Sequence, residues 1–260
     1  MSVWYCIPSA RPDGGTLREW KERGYKLAVW RDPGADPLDG LIDYLILGKY
    51  EGYAVSVNRL VDAAMGADRS CEWFVTGGDD VSPDLAHSPE EIAEQCSDGF
   101  FRMCYDRHPR HRPHWQLAME HVDWRTFGVM QPTGDRWGAD EPWAQKNFPN
   151  APAYIDRICG SPWMGREFCR RANAGKGPLC EDYEHMYVDE HLQEYAKSLG
   201  ILWQRPDLIQ YHHHALRGGK PQSSLPPHLK CRYEGSHFKD AKAIFDRHMA
   251  AKFAGLEPIA

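Results

Sequence analysis

From Val3 to Thr76, short apolar runs alternate with polar or helix-like stretches. That is the rhythm of strands joined by helical crossovers in a parallel α/β sheet. Val3 to Ile7 predicts a first strand ending at Pro8, and Leu17 to Arg23 predicts a crossover helix stopped at Gly24. Lys26 to Trp30 predicts a second strand, ending in the turn Arg31-Asp32-Pro33-Gly34, and Tyr44 to Leu47 a further short one. Between Ala54 and Met65, the residues Val57, Leu60, Val61 and Ala64 recur at helical spacing, so one face of this helix should pack on the sheet. Glu72 to Thr76 is the third main strand and runs into the turn Gly77-Gly78-Asp79-Asp80-Val81. Ligands on open α/β sheets gather beyond the carboxyl ends of strands. Pro8-Ser9, Arg31-Asp32 and Asp79-Asp80 all stand at such ends.

The pattern loosens in the second half. A helix is expected over Pro89 to Cys96, a strand near Phe127 to Met130, and then an irregular loop to Ala153, of a length usually functional or mobile. A clear helix runs from about Tyr183 to Leu199, with Val188, Leu192, Tyr195, Ala196 and Leu199 on one stripe and Gly200 as its stop. At about 100° per residue, Asp189 lies at the margin of that stripe and can face a cleft, whereas Glu190 points to solvent. Ile201 to Tyr211 should contain a last strand that delivers His212, His213 and His214. Asp240 to Phe253 reads as an amphipathic helix, and there is no internal repeat or linker. A single domain over residues 1–260 follows.

Composition narrows the class. Apolar residues at 42% and charged residues at 26% match soluble globular proteins, and no run reaches the roughly 18 apolar residues of a membrane span. The N-terminal apolar run is too short for a signal peptide and lacks a basic flank, and the eight cysteines are irregularly spaced. Free thiols in the cytoplasm are the expectation. A net charge of −6 argues against wholesale attraction to nucleic acid, yet the segment from Arg102 to Gln116 concentrates Arg102, Arg107, Arg110 and Arg112. A local basic patch can survive an acidic total.

Two carboxylates on a glycine-led turn after a buried strand suit a hard divalent cation, which takes oxygen ligands. The same pair also suits the capping of a turn or of a following helix. Neutral imidazole is a common metal ligand, and in an extended segment His212 and His214 share one side while His213 takes the other. A solvated or hydrogen-bonded histidine cluster is the alternative. Zinc hydrolysis lacks support, since neither HExxH nor paired CxxC spacing occurs.

The order of these features resembles the GT-A glycosyltransferases, especially family-2-like enzymes and small phage-encoded members, over roughly Val3 to His214. The segments that carry the likeness are Ile7-Pro8-Ser9-Ala10-Arg11, Asp32, the helix around Asn58, and Trp73-Phe74-Val75-Thr76-Gly77-Gly78-Asp79-Asp80. Further on come Ile158 to Glu167, Gly177 to Tyr183, Tyr187-Val188-Asp189-Glu190-His191-Leu192 and Tyr211-His212-His213-His214. Two positions depart from the family: Gly78 stands where an Asp-x-Asp triplet has its first acid, and His191 where an acid precedes the leucine.

The resemblance implies a GT-A type α/β domain, a mostly parallel Rossmann-like sheet flanked by helices, with acceptor-side loops and a C-terminal helix. Residues 1–84 would bind the nucleotide sugar, residues 85–214 the acceptor, and residues 215–260 form a C-terminal extension. It implies Mn²⁺ or Mg²⁺ held by Asp80 with His212 or His214, and a nucleotide-sugar donor, foremost a UDP-sugar, contacted by Pro8, Ser9, Arg11, Asp32, Asn58 and Asp79. Asp189 would be the catalytic base. Phage-type relatives include enzymes that glycosylate hydroxymethylated pyrimidines in DNA, which makes Arg107, Arg110, Arg112 and the stacking Trp163 candidate acceptor contacts and the host cytoplasm the expected location. Transfer to a protein, glycan or lipid-linked acceptor is the alternative, and a catalytically silent nucleotide-binding or virion-interaction module is the more remote one.

Overall fold

The first strand, β1 (Val3–Pro8), carries apolar side chains on both faces, and both are buried. Trp4 and Cys6 join one core with Ala28 and Phe74, while Val3, Tyr5 and Ile7 join another with Leu27, Val29 and Trp73. A parallel sheet covered on both sides has this property, which is why its strands read as continuous apolar runs. The computed structural model describes residues 1–105, 121–136, 154–215, 217, 220, 223 and 236–259.

The chain continues through α1 (Leu17–Glu22), β2 (Lys26–Arg31), β3 (Tyr44–Leu47), α2 (Tyr53–Ala67), β4 (Trp73–Val75), β5 (Val81–Ser82) and α3 (Pro89–Tyr105). Then come β6 (Val129–Pro132), β7 (Trp163–Gly165), α4 (Arg166–Gly175), α5 (Val188–Leu199), β8 (Leu202–Arg205), β9 (Tyr211–His212) and α6 (Ser236–Ala250). Among the described residues, seven strands form one sheet in the order β3-β2-β1-β4-β7-β6-β8. Only β7 runs against its neighbours; the remaining pairs of this sheet are parallel. The protein is therefore a mixed α/β protein with a mostly parallel central sheet flanked by helices, α1 and α3 on one face and α2, α4, α5 and α6 on the other. No helix among the described residues is long and apolar enough to cross a membrane. The seven described cysteines are free and buried.

Several expectations are corrected here. The third helix reaches Tyr105, well past Cys96, because Phe100 and Cys104 extend its buried stripe. The strand expected at Phe127 to Met130 begins two residues later, after a short 3-10 turn over Trp124–Thr126. The helix expected from Tyr183 starts at Val188, since Tyr187 takes a left-handed conformation at φ 66° and breaks the helical path. One strand before the histidines becomes two: β8 ends in the main sheet, and β9 leaves it to pair antiparallel with β5.

Candidate active site

The chain moves outward from β1 through β2 to β3 and then returns to place β4 on the other side of β1. The connections leaving β1 and β4 therefore diverge, and an open α/β sheet forms its ligand crevice at such a switch point. Ser9 follows β1, Asp79 and Asp80 follow β4, and their side chains meet there. Ser9 Oγ donates to Asp79 Oδ2 at 2.8 Å, and Arg11 Nε donates to Asp79 Oδ1 at 3.1 Å.

The turn itself is held from below. Tyr5 hydroxyl donates to the Gly78 carbonyl at 2.7 Å, Tyr53 hydroxyl to the Gly77 carbonyl at 3.0 Å, and Thr16 N–H to the Asp79 carbonyl at 3.2 Å. Two glycines are needed for close approach. A Cβ on Gly15, at φ +57°, would lie 2.2 Å from the Asp79 carbonyl oxygen, and one on Gly78 would lie 2.3 Å from Asp80 Oδ1.

Asp80 meets the histidines through the small β5–β9 ribbon. Val81 pairs with His212, and His213 N–H donates to the Asp80 carbonyl at 2.7 Å. His212 Nε2 thereby comes within 3.4 Å of Asp80 Oδ1, and the His212 and His214 rings lie 5.0 Å apart. His213 points the other way, 2.8 Å from Ser82 Oγ and against Tyr211. The alternation of an extended chain has placed His212 and His214 on the Asp80 side.

The two carboxyls are shifted in opposite directions. Burial pushes the Asp79 carboxyl above its ordinary value, and the Ser9 hydroxyl and Arg11 offset only part of this. Burial acts on Asp80 in the same sense, but the hydrogen bond and charge of His212, with Arg11 and His214 behind it, outweigh it and hold that carboxyl below its ordinary value. Burial, then the neighbouring His212, lowers His214 to about 4 and leaves its imidazole neutral at pH 7. A charged Asp80 oxygen and the neutral His214 nitrogen are donors that a divalent cation accepts. Adjacent ligands about 2.1 Å from such an ion lie about 3 Å apart, close to the separation of Asp80 and His212. Asp80 and His212 could therefore hold a divalent cation between them, whereas the donor atoms of Asp80, His212 and His214 do not all lie within 4.8 Å of one another, so His214 would have to move in to join them.

Asp189, in the first turn of α5, is half-buried; its backbone carbonyl accepts from Cys159 N–H at 3.2 Å. Its carboxylate adds to the effect of burial in raising the Tyr53 phenol, so its field reaches the residue that holds the Gly77 turn. Glu190 was expected in solvent. It is half-buried instead, because residues 157–159 cross this end of α5, and its carboxyl hydrogen-bonds to that of Asp189. Burial and then the adjacent Asp189 charge push Glu190 up to about 10.

The remaining predicted residues scatter. Pro8 is half-buried at the end of β1, and Asp32 is exposed on the turn after β2. Asn58 does not face the crevice. It is buried, its Oδ1 accepts from Leu179 N–H at 3.0 Å, and its Nδ2 donates to the Leu179 carbonyl at 2.8 Å and Glu181 Oε1 at 3.0 Å. It ties α2 to the segment before α5. Trp163 is fully buried in the central sheet with its Nε1 donating to Gln210 Oε1 at 2.7 Å, so it cannot stack on an acceptor. The segment Ile158 to Glu167, which carried part of the family likeness, contains core strand β7 and the start of α4. Arg107, Arg110 and Arg112 lie outside the described residues, as does most of the irregular loop expected before Ala153.

Sequence reasoning missed three contributors. Arg31 is buried at the end of β2; its Nη2 donates to the Arg11 carbonyl at 2.9 Å, and its Nε and Nη1 have no hydrogen-bond partner among the described residues. Asp135 accepts from His212 N–H at 2.7 Å and pairs with Arg217, whose Nε donates to the His212 carbonyl at 2.8 Å. Arg31 carried a local signal, as a cation closing an apolar strand. Asp135 and Arg217 carried none, since only the fold brings their segments to the ribbon.

No family model matches the chain, and no curated protein does. Among solved structures it is similar to the crystal structure of a glycosyltransferase involved in the glycosylation of the major capsid of PBCV-1, at 11% identity over 90% of this chain and 76% of that one, with a TM-score of 0.29. So low a score carries no argument, and the reading below rests on the geometry of the crevice.

Proposed function

We propose that this chain is a metal-dependent glycosyltransferase that moves a sugar from a nucleotide-sugar donor, foremost a UDP-sugar, to an acceptor hydroxyl. The observation that carries the reading is the meeting of Asp80, His212 and His214 with Asp79, Ser9 and Arg11 at the crevice between β1 and β4. Asp80, His212 and His214 would hold Mn²⁺ or Mg²⁺, which supplies Lewis-acid stabilisation of the departing diphosphate when bound. Arg11 and Arg31 add positive charge on the donor side, and Asp79 with Ser9 offers hydrogen bonds to ribose or sugar hydroxyls. Asp189 would take the proton of the acceptor hydroxyl as its oxygen bonds to the anomeric carbon, while the bond from that carbon to the diphosphate breaks and its electron pair leaves with the nucleotide. Glu190, raised by burial and by the adjacent Asp189 charge, lies beside this base.

The acceptor in this proposal is 5-hydroxymethylcytosine or a related modified base in DNA. Its support is the basic composition of residues 102–116; of that segment Arg102 is exposed on α3 and lines an open groove with Asp98, Trp203 and Arg205, the last paired with Asp207. Arginine side chains suit phosphate contacts. The experiment is a panel of nucleotide sugars with Mn²⁺, read first as donor hydrolysis and then as mass shifts of nucleosides digested from hydroxymethylcytosine DNA and unmodified DNA. Hydrolysis of one donor and a hexose or pentose mass shift on the modified base alone are expected. Transfer to protein, glycan or lipid-linked sugar with none to modified DNA would sink the acceptor and leave the enzyme class. Absence of hydrolysis and of thermal stabilisation with every nucleotide sugar would sink the enzyme class and leave a silent module.

A further inference from the structure

On the α2 side of the sheet, the segment before α5, α5 itself and α6 bring three metal-ligating side chains together. Donor atoms of Cys180, His191 and His248 all lie within 4.8 Å of one another. Cys180 is 4% exposed and His191 1%, so the cluster is closed to bulk water on those sides. None of the three belongs to the crevice described above.

Packing alone is the simplest account of such a cluster, because the rings of His191 and His248 contact each other, Tyr183 and, for His191, Tyr195 and Phe253. It leaves one atom unexplained. His191 Nε2 is buried with no hydrogen-bond partner among the described residues. A buried polar atom left unpaired is costly, and phenylalanine would fill the same space without it. A nitrogen lone pair directed at a cation removes that cost.

We propose that Cys180, His191 and His248 form a structural transition-metal site whose native ion is Zn²⁺. Thiolate and imidazole are the donors zinc prefers, whereas Mn²⁺ and Mg²⁺ favour oxygen. In tetrahedral zinc with bonds of about 2.1–2.3 Å, neighbouring donors lie about 3.6 Å apart, so the side chains need to draw in by no more than about 1 Å. The outer shell is present. His248 Nε2 is 3.1 Å from Asp182 Oδ2 and its Nδ1 is 3.3 Å from the Tyr183 hydroxyl. Whichever ring nitrogen turns to the ion, the other keeps a partner, the arrangement that orients metal-bound histidines. A water molecule or the Asp182 carboxylate completes the tetrahedron.

Burial raises the Cys180 thiol to about 11, and burial followed by the His248 charge lowers His191 to about 3. The imidazole is thus already in its ligating form, and zinc entry displaces the thiol proton to solvent. The ion would pin α6 to α5 and to the segment that runs on to Asp189. That segment also touches the donor half, where Tyr53 N–H donates to the Glu184 carbonyl at 2.6 Å.

Cobalt substitution tests the site on the whole chain. After chelator treatment, Co²⁺ is expected to give tetrahedral visible bands and a thiolate-to-cobalt charge-transfer band that saturates at one ion per chain and is displaced by Zn²⁺. The band should persist in Asp80→Asn, vanish in Cys180→Ser, and need at least about 10- to 100-fold more Co²⁺ in His248→Gln, since losing a ligand costs no less than disturbing a ligand's hydrogen-bond partner. A wild-type chain without the charge-transfer band, or a band undiminished by Cys180→Ser, overturns the proposal, and the first of these readings requires no variant to fold.

Discussion

The crevice beyond β1 and β4 and the cluster beneath α6 both gather two histidines with an acidic or thiol partner, yet they suit opposite tasks. At the crevice, Asp80 and His212 side chains retain 22% and 33% of their exposure, enough for an ion to exchange and for a diphosphate to reach it. In the cluster, Cys180 and His191 are almost wholly enclosed. The first set mixes oxygen with nitrogen and sits on a turn held by glycines; the second mixes sulfur with nitrogen and sits among aromatic rings. Histidine alone does not tell a working site from a structural one. Its partner's chemistry and its access to solvent do.

The sharpest break of this comparison is Asp80→Ala. Donor hydrolysis should fall by at least about 10²- to 10³-fold, as expected when a group that stabilises developing charge is removed, while the cobalt–thiolate band remains. Loss of both together would mean that the two regions are not separate. Mild EDTA should divide them in the same way, stopping turnover at the open site before zinc leaves the enclosed one.

Next comes the carboxyl pair. Asp189→Asn should lower kcat by about 10²-fold or more with little change in donor KM, the signature of a lost general base. Glu190→Gln should change kcat near pH 7 by no more than about threefold, because a protonated carboxyl and an amide are both neutral there. With the folded Glu190 near 10 and its ordinary value at 4.5, the native state holds a proton that the unfolded chain has lost across that interval. Stability from this group is therefore present at low pH and declines as pH rises toward 10, by up to about 1.4 kcal/mol per pH unit. Melting curves of Glu190→Gln should lack that decline; an unchanged pH profile would mean that Glu190 is ionised.

Smaller effects separate donor contacts from scaffolding. Gly15→Ala strains a left-handed position and drives a methyl group into the Asp79 carbonyl, so donor KM should rise roughly tenfold as the turn shifts, with a stability loss of about 1–3 kcal/mol. Asn58→Ala should cost about 1–3 kcal/mol by leaving backbone groups of Leu179 unpaired, with donor KM unaltered at temperatures where the variant stays folded. A raised KM without loss of stability would return Asn58 to the donor site. Trp163→Phe should weaken the core, through the lost indole bond to Gln210 and the space left by the smaller ring, without changing acceptor KM.

The first half of the fold was legible because its signals are local. Apolar strands, glycine and proline stops and a helical stripe predict β1, α1, β2, β3, α2 and β4 to within one or two residues. The donor role of Asn58 came from the family resemblance, not from helical phase. Ala54, Asn58 and Val61 fall on one helical face, and that face is buried, which marked Asn58 as an interior hydrogen-bonding group. Glu190 failed for a different reason: helical phase said where it pointed, and residues 157–159, far away in sequence, covered it.

What the sequence by itself determined is periodicity and chemistry: which segments bury both faces, where the acidic turn follows a strand, and that His212 and His214 share a side. These depend on bonds and dihedral preferences within a few residues. Tertiary structure alone decided that β9 would leave the main sheet to carry His212 to Asp80, that Asp135 and Arg217 would hold it there, and that Cys180 would meet His191 and His248. Those meetings depend on how separate segments cross in space, and neither alternation nor helical phase encodes the distance between them.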